Sequence, residues 1–269
     1  MSILQTVWLS IVQGITEFLP ISSSGHLILF AEFTPFEDQG LAVDIALHIG
    51  SIVAVMIYFY KDIIEIIKGM LSKCCLPNFS NQGNRLAYQI VLASMPALII
   101  GFCLRNFGME YIRNPKIIGW TILIYGLILY VADKKGQSSK NTSDISFKDA
   151  LFIGLAQCLA LIPGTSRSGI TITMARFLGV NRSDAAKFSM LLSIPTIAAA
   201  GSLELYRLYK SSNITEIGNT IDAIGFSFIF SMIAIFAMMK WLQKFTFLPF
   251  VIYRVILGGV LILYSNGIF

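Results

Sequence analysis

The chain has 269 residues, of which 55% are hydrophobic and 13% are charged, and its formal net charge is +5. Soluble domains are about 45–50% apolar and about 25% charged, so this composition excludes a soluble globular enzyme. It also excludes a disordered chain, and four cysteines are too few for a disulfide scaffold. Long apolar runs favour a polytopic, all-α membrane protein over a β-barrel.

Ten apolar stretches follow one another along the chain, and six of them approach the roughly 17–25 residues that a helix needs to cross a bilayer. The predicted full transmembrane helices are 45–60, 86–104, 117–132, 188–208, 223–239 and 248–264. Between the first two, segment 62–72 alternates isoleucines with charged residues and predicts an amphipathic helix on the inner membrane surface.

The other four apolar stretches form two pairs, 3–19 with 27–36 and 149–162 with 170–178, and a Ser/Gly-rich turn interrupts each pair. This pattern predicts two re-entrant helix-turn-helix pairs, since irregular backbone survives at membrane depth only where it lines an enclosed cavity. The alternative is eight spans, but a proline and a serine run in mid-span would leave backbone groups unbonded in lipid.

A shift of 144 residues aligns the two interrupted pairs, with seven identities in the window 13–33. We therefore predict a single integral-membrane domain over 1–269, with repeat one at about 1–132, an inner-side linker at about 133–148 and repeat two at about 149–269. Each repeat has three full spans, so the second repeat is inverted relative to the first. Thirteen of the 20 Lys and Arg residues then lie on one side and five on the other, which places both termini outside. Cations in short loops are a topology signal, so we expect no nucleic-acid partner.

The first interrupted pair carries an acid and a run of hydroxyls. Gln13 and Glu17 are four residues apart and share one helix face, and a carboxylate in an apolar segment marks a function by default. Glu17 is a candidate metal ligand or general base, with Gln13 beside it. The alternative is a structural ion pair with Arg167. The run Ser22-Ser23-Ser24-Gly25-His26 offers a nucleophile and a proton-transfer partner, although one or two of its serines are expected to cap a helix.

The second interrupted pair carries Pro163-Gly-Thr-Ser-Arg-Ser-Gly-Ile-Thr171 at its turn. Hydroxyls, free backbone N–H groups at a helix start and one guanidinium fork together bind phosphate. Under the shift of 144 residues Ser23 corresponds to Arg167. One turn would therefore supply the base and nucleophile, and the other would supply the anion-binding group.

Four polar residues stand outside these turns. Asp44 and His48 begin a span and either support the site or form a satisfied pair. Glu204 and Arg254 are near span ends, where we expect their side chains to reach toward the headgroups.

The motifs in both turns resemble those of a known family. Gln13-Gly-Ile-Thr-Glu17 matches (Glu/Gln)-x-x-x-Glu, and residues 163–171 match Pro-Gly-x-Ser-Arg-Ser-x-x-Thr without a mismatch. Phe-Ser-x-Leu-Leu-x-x-Pro at 188–195 and Phe-x-Pro-Phe-x-x-Tyr-Arg at 247–254 extend the match. On these stretches the chain resembles the undecaprenyl-diphosphate phosphatases, the bacitracin-resistance proteins of bacterial inner membranes. Many members have Glu where this chain has Gln13, so Glu17 alone would carry the charge here.

The resemblance implies hydrolysis of undecaprenyl diphosphate to undecaprenyl phosphate and inorganic phosphate, which recycles the carrier lipid of peptidoglycan synthesis. It implies a divalent cation, Mg²⁺ or Ca²⁺, and a site that opens to the outer face of the inner membrane. A homodimer is left open. The expected catalytic residues are Glu17, Ser23, His26 and Arg167, with Glu17, and Gln13 as a second candidate, at the metal. The residues expected to hold the diphosphate are Ser22, Ser24, Ser166, Arg167, Ser168 and Thr171.

Two alternatives remain at this point. The nucleophile is either Ser23 or a water polarised by Glu17. Inverted repeats with broken helices are also typical of secondary transporters, so a lipid-phosphate flippase is the rival function. A flippase would not release phosphate in detergent.

Overall fold

The computed structural model describes residues 2–34, 40–71, 79–104, 114–211 and 217–268, and over these ranges it is helical without a strand. Eleven α-helices follow one another in the described ranges. In chain order they are α1 (Ile3–Thr16), α2 (Ser23–Phe33), α3 (Gly40–Tyr58), α4 (Tyr60–Leu71), α5 (Gln82–Leu104), α6 (Pro115–Lys135), α7 (Phe147–Gln157), α8 (Arg167–Phe177), α9 (Arg182–Ser211), α10 (Ile217–Leu242) and α11 (Leu248–Ser265).

Local sequence explains several helix starts. Asn114 caps α6 by accepting a hydrogen bond from the backbone N–H of Ile117, and Pro115 follows in the first turn, where its missing N–H costs nothing. Ser146 and Asp149 form a reciprocal capping box at the start of α7. α7 continues through a 3₁₀ segment, Cys158–Leu161. In the described ranges most of each predicted apolar stretch is helical.

Four helices are long and apolar enough to cross a membrane by length and composition: α5, α6, the stretch Thr220–Leu242 of α10, and α11. The pair α3 and α4 passes the same test only together, with a bend of 81° between its two helices. α4 lies where the amphipathic helix was predicted, and Ile64, Ile67 and Leu71 are exposed on it. The structure thus gives a polytopic helical protein with four or five candidate spans.

Small residues bring the long helices close together. A Cβ on Gly50 of α3 would lie 2.4 Å from the Ile224 carbonyl oxygen of α10, and one on Gly14 of α1 would lie 2.7 Å from the Phe230 Cβ. Beside Gly50, the Ser51 hydroxyl lies in a buried hydrogen-bonded group with Ser227 and Ser231 of α10. Close packing through small residues with interhelical hydroxyl contacts is typical of helices in membranes.

A buried ionic group closes one end of the bundle. Asp133 at the end of α6 pairs with Arg176 of α8 at 3.2 Å and with Arg182 of α9 at 2.7 Å. Its other carboxylate oxygen accepts a hydrogen bond from the Phe247 backbone N–H before α11. The Asp133 carboxylate therefore joins α6, α8, α9 and the start of α11. These contacts hold the C-terminal end of α8, whose N-terminal end lies at the site described below.

Candidate active site

The first turn, Glu17–Ser22, joins α1 to α2, and we call it the first elbow. Ser22 has a positive φ of 77° and caps α2, since its Oγ accepts a hydrogen bond from the Gly25 backbone N–H at 3.3 Å. Because a non-glycine residue in this region costs of the order of 1–3 kcal/mol, surrounding contacts must hold it there. The geometry makes Ser23 the first residue of α2.

The second turn, Ile162–Ser166, leads into α8 and is called the second elbow. It repeats the same local structure, since Ser166 has a φ of 73° and its Oγ accepts from the Gly169 backbone N–H at 3.1 Å. Among the described residues, Ser22 and Ser166 are the non-glycine positions with positive φ, and they correspond under the shift of 144 residues. Arg167 is thereby the first residue of α8.

Both elbows converge on Glu17. Its Oε1 accepts a hydrogen bond from the Arg167 Nη2 at 2.6 Å, and its Oε2 accepts from the Ser23 Oγ at 2.6 Å. The Gln13 Nε2 donates to the same Oε2 at 3.1 Å. Glu17 is only 7% exposed, so its charge is balanced by the guanidinium and by two neutral donors inside the protein. The predicted acid, nucleophile and cation therefore meet at one carboxylate.

α9 completes the setting of Arg167. The Arg167 Nη1 donates to the Ser189 carbonyl oxygen at 3.1 Å, and the Ser189 hydroxyl lies 2.7 Å from the Thr171 Oγ1. Ser189 was not among the predicted site residues, because a serine within an apolar span carries no chemical signal of its own; its place in the family-like stretch 188–195 is the signal that could have found it. The guanidinium is thus held between Glu17 and a backbone carbonyl.

The hydroxyls predicted to hold a diphosphate already have partners within the protein. Ser168 donates to the Leu19 carbonyl at 2.9 Å, which ties the two elbows together, and Thr171 donates to the Arg167 carbonyl at 2.8 Å. Ser22 and Ser166 are helix caps. Ser24 is exposed, and its Oγ lies 3.4 Å from that of Ser22, so it is the serine most open to a ligand.

His26 lies on α2 but its hydrogen bonds lead away from Glu17. Its Nδ1 is 2.6 Å from the Ser22 carbonyl oxygen, and its Nε2 is 2.6 Å from the Tyr253 hydroxyl of α11. The second histidine is nearer to the carboxylate, since the His48 Nε2 lies 3.8 Å from the Glu17 Oε2. The His48 Nδ1 is 2.7 Å from the Asp44 carbonyl oxygen, so Asp44 orients this ring through its backbone.

Arg254 contradicts the expectation that it reaches toward the headgroups. It is fully buried, and its guanidinium donates to backbone carbonyls of both elbows, at 3.1 Å to Pro20 and 3.1 Å to Thr165. It also donates to Ile122 of α6 at 2.9 Å. The sequence pattern missed this role because carbonyl acceptors have no side-chain signature. The Glu204 side chain lies outside the part of the chain that the structure describes.

Glu17 and Gln13 supply the oxygen atoms that could bind a metal here. Among the described residues, the Gln13 Oε1 is buried without a hydrogen-bond partner, while the Nε2 of the same amide contacts Glu17. No group of three or more His, Cys, Asp or Glu residues that could hold a metal occurs in the described ranges. One carboxylate and one amide oxygen fit a hard cation that takes its other ligands from phosphate and water, as Mg²⁺ commonly does.

Known proteins are similar to this chain over almost its whole length. Residues 6–260 match the family model described as bacitracin resistance protein BacA. A protein named undecaprenyl-diphosphatase from Ruegeria sp. (strain TM1040) is 43% identical over 268 residues, which cover 99% of this chain and all of the relative. One of the same name from Saccharophagus degradans is 46% identical over 261 residues, or 96% of this chain and 97% of the relative. The chain therefore belongs to the bacitracin resistance protein BacA family.

Proposed function

We propose that this protein hydrolyses undecaprenyl diphosphate to undecaprenyl phosphate and inorganic phosphate, and so recycles the carrier lipid and confers resistance to bacitracin. The observation that carries the proposal is the Glu17 carboxylate, which accepts hydrogen bonds from the Ser23 hydroxyl and the Arg167 guanidinium at 2.6 Å each. The shared name of the relatives supports the substrate.

The membrane arrangement that we propose has six full spans and two re-entrant pairs, α1 with α2 and α7 with α8, in two inverted repeats. The matching backbone of Ser22 and Ser166 supports the repeat. So does the helix packing, because α1 packs against α10 as α7 packs against α5. The excess of cations in one set of loops supports an orientation with both termini outside. The location in a bacterial inner membrane and a site that opens to the outer side are proposed from the family resemblance.

In the proposed reaction Arg167 binds the terminal phosphate, and the exposed Ser24 and nearby backbone N–H groups hold the rest of the diphosphate. Ser22, Ser166, Ser168 and Thr171 contribute to this site by exchanging their internal hydrogen bonds for phosphate oxygens when the substrate binds. Glu17 takes the proton of Ser23 as the Ser23 oxygen attacks the terminal phosphorus, and the bond from that phosphorus to the bridging oxygen breaks. Undecaprenyl phosphate leaves, and water then hydrolyses the phosphoserine. His26 moves protons during these steps. In the alternative, Glu17 activates a water directly.

The proposed cofactor is Mg²⁺ or Ca²⁺, held by Glu17 and the Gln13 Oε1 together with oxygens of the substrate. Such an ion offsets the negative charge of the diphosphate when bound. The unpartnered Gln13 oxygen supports this assignment.

The test measures phosphate release from undecaprenyl diphosphate by purified protein in detergent, with and without a chelator. We expect Arg167→Ala to lower kcat/KM about 10²–10³-fold, because it removes a preorganised donor to the developing charge. Arg167→Lys keeps the charge but loses the fork, so we expect only partial recovery. Arg182→Ala is the control, since it removes a cation that pairs with Asp133 instead. Near-normal release by Arg167→Ala would contradict the assignment.

The nucleophile has its own test. We expect rapid acid quenching of the reaction to trap phosphate on Ser23, detected by mass spectrometry, and Ser23→Ala to lose the adduct together with activity. If Ser23→Ala stays active and no phosphoserine forms, water is the nucleophile. Absence of phosphate release from the unaltered protein, with lipid transfer between leaflets, would instead favour a flippase.

A further inference from the structure

Beyond the elbows, α11 carries a further polar contact to the site at the aromatic residue that precedes Arg254. Tyr253 lies 227 positions from His26 in sequence, yet its hydroxyl is 2.6 Å from the His26 Nε2. The two rings are nearly parallel, at 13°, with centroids 5.6 Å apart. Tyr253 therefore forms a hydrogen bond with one edge of the imidazole, and its ring lies almost parallel to the imidazole ring.

The Nδ1 of His26 determines which group is the donor in the hydrogen bond between His26 and Tyr253. A backbone carbonyl can only accept, so the Nδ1 carries a proton that it donates to the Ser22 carbonyl oxygen at 2.6 Å. In the neutral ring the Nε2 is then the acceptor, and the Tyr253 hydroxyl donates to it. The nitrogen that gains and loses a proton is thus the one that faces Tyr253.

The ring is fixed at both ends by constrained groups. Ser22 is held in its positive-φ conformation as the cap of α2, and the residue after Tyr253 is the fully buried Arg254, which bonds both elbows. The backbones on both sides of the ring are therefore tied to the elbows. A fixed orientation contributes to the efficiency of a proton-transfer group.

We propose that Tyr253 is a positioning residue for the phosphatase reaction, which holds the resting His26 imidazole in one orientation and in the tautomer whose unprotonated nitrogen is the Nε2. The inference rests on the proposed function and on the role given there to His26. It assigns to α11 a part in the reaction beyond membrane packing.

The chain offers a matched control on the same helix. Tyr264 of α11 is 40% exposed, against 42% for Tyr253, and it also contacts α2, by an edge contact of its ring with Phe33 at 5.0 Å. Tyr264→Phe therefore removes a hydroxyl from a tyrosine of similar exposure that contacts the same helix, and it leaves the Tyr253–His26 hydrogen bond in place.

The experiment measures kcat, KM and the thermal midpoint for Tyr253→Phe, Tyr253→Leu and Tyr264→Phe in detergent. We expect kcat to fall about 10- to 100-fold in both Tyr253 variants, because each loses the donor, with KM within about twofold of the unaltered protein. Tyr264→Phe should keep both constants, and the thermal midpoint of Tyr253→Phe should match that of Tyr264→Phe.

Two results would overturn the inference. Normal kcat in Tyr253→Phe, with a loss only in Tyr253→Leu, would mean that the ring packs and the hydroxyl does nothing. Full activity of His26→Ala would remove the residue through which Tyr253 is proposed to act. Failure of the proposed function is a separate outcome, since the unaltered protein and Tyr264→Phe would then release no phosphate.

Discussion

Glu17 is a buried carboxylate whose two oxygens are divided between the two halves of the chain. Ser23 from the first elbow contacts one oxygen, and Arg167 from the second contacts the other. Burial of charge is tolerated only with paired and hydrogen-bonded partners, and removing one partner of such a pair is far more costly than never having the pair. Glu17 therefore serves the fold as well as the proposed chemistry.

This double role predicts the stability of Glu17 variants. We expect Glu17→Gln to destabilise the protein by up to about 3 kcal/mol, because the partly buried Arg167 loses its carboxylate partner. The double variant Glu17→Gln with Arg167→Met should be less destabilised than the sum of the single variants. Unfolding in detergent measures this coupling, and additive losses would show that the two side chains do not interact.

The residues that meet at Glu17 were predictable, and those that support them were not. Glu17 and Arg167 stand out because an ionisable group in an apolar segment demands a reason. Ser189 and Arg254 act through a backbone carbonyl or on backbone carbonyls, so no pairing of side-chain types marks them. Tyr253 is one of ten tyrosines, and its link to His26 appears only when α2 and α11 are brought together.

At the scale of helices, the elbows depend on how closely their neighbours pack. α1, which leads into the first elbow, packs on α10, and α10 also packs on α3. Gly14 and Gly50 make both approaches possible, because a side chain at either position would meet α10 at less than 3.0 Å. The helix positions could be predicted from the hydrophobic runs. The close interhelical distances could not, because a glycine in a helical pattern does not by itself indicate close packing.

Gly50→Ala tests this packing. The added methyl group would meet the backbone of α10, which cannot move aside as a side-chain tip would, so we expect a loss of about 1–3 kcal/mol of stability. Gly259→Ala on α11 is the control, because no atom of the part of the chain that the structure describes lies within 4 Å of its Cβ position. That variant should be neutral or gain up to about 1 kcal/mol from helix propensity. Equal midpoints for both variants would contradict the packing argument.

At the scale of the whole molecule, the two elbows have similar backbones and different chemistry. Ser22 and Ser166 share one unusual conformation, and the residues that follow them, Ser23 and Arg167, contact opposite oxygens of one carboxylate. Either half alone would lack a reactive group. Only the first half contains Glu17, and under the shift of 144 residues its counterpart is Leu161.

The proposed inverted arrangement makes a prediction about the ends of the chain. With six full spans and two re-entrant pairs, both termini lie on the outer side, so we expect alkaline phosphatase fused after Phe269 to be active in a bacterial host. A green fluorescent protein fused at the same point should be dark, because it does not mature after export in unfolded form. A fluorescent fusion would place the C-terminus inside and would contradict the cation-based orientation.

An anion must compete with Glu17 in order to bind Arg167, because the two side chains already form an ion pair. An anion that approaches Arg167 finds its positive charge already neutralised at 2.6 Å, so it gains only the difference between its own attraction and that of the carboxylate. Chloride or a singly charged ester gains little from that exchange. A pyrophosphate group, with more charge and more acceptor oxygens, gains more. The ion pair therefore favours binding of a pyrophosphate group over binding of abundant small anions.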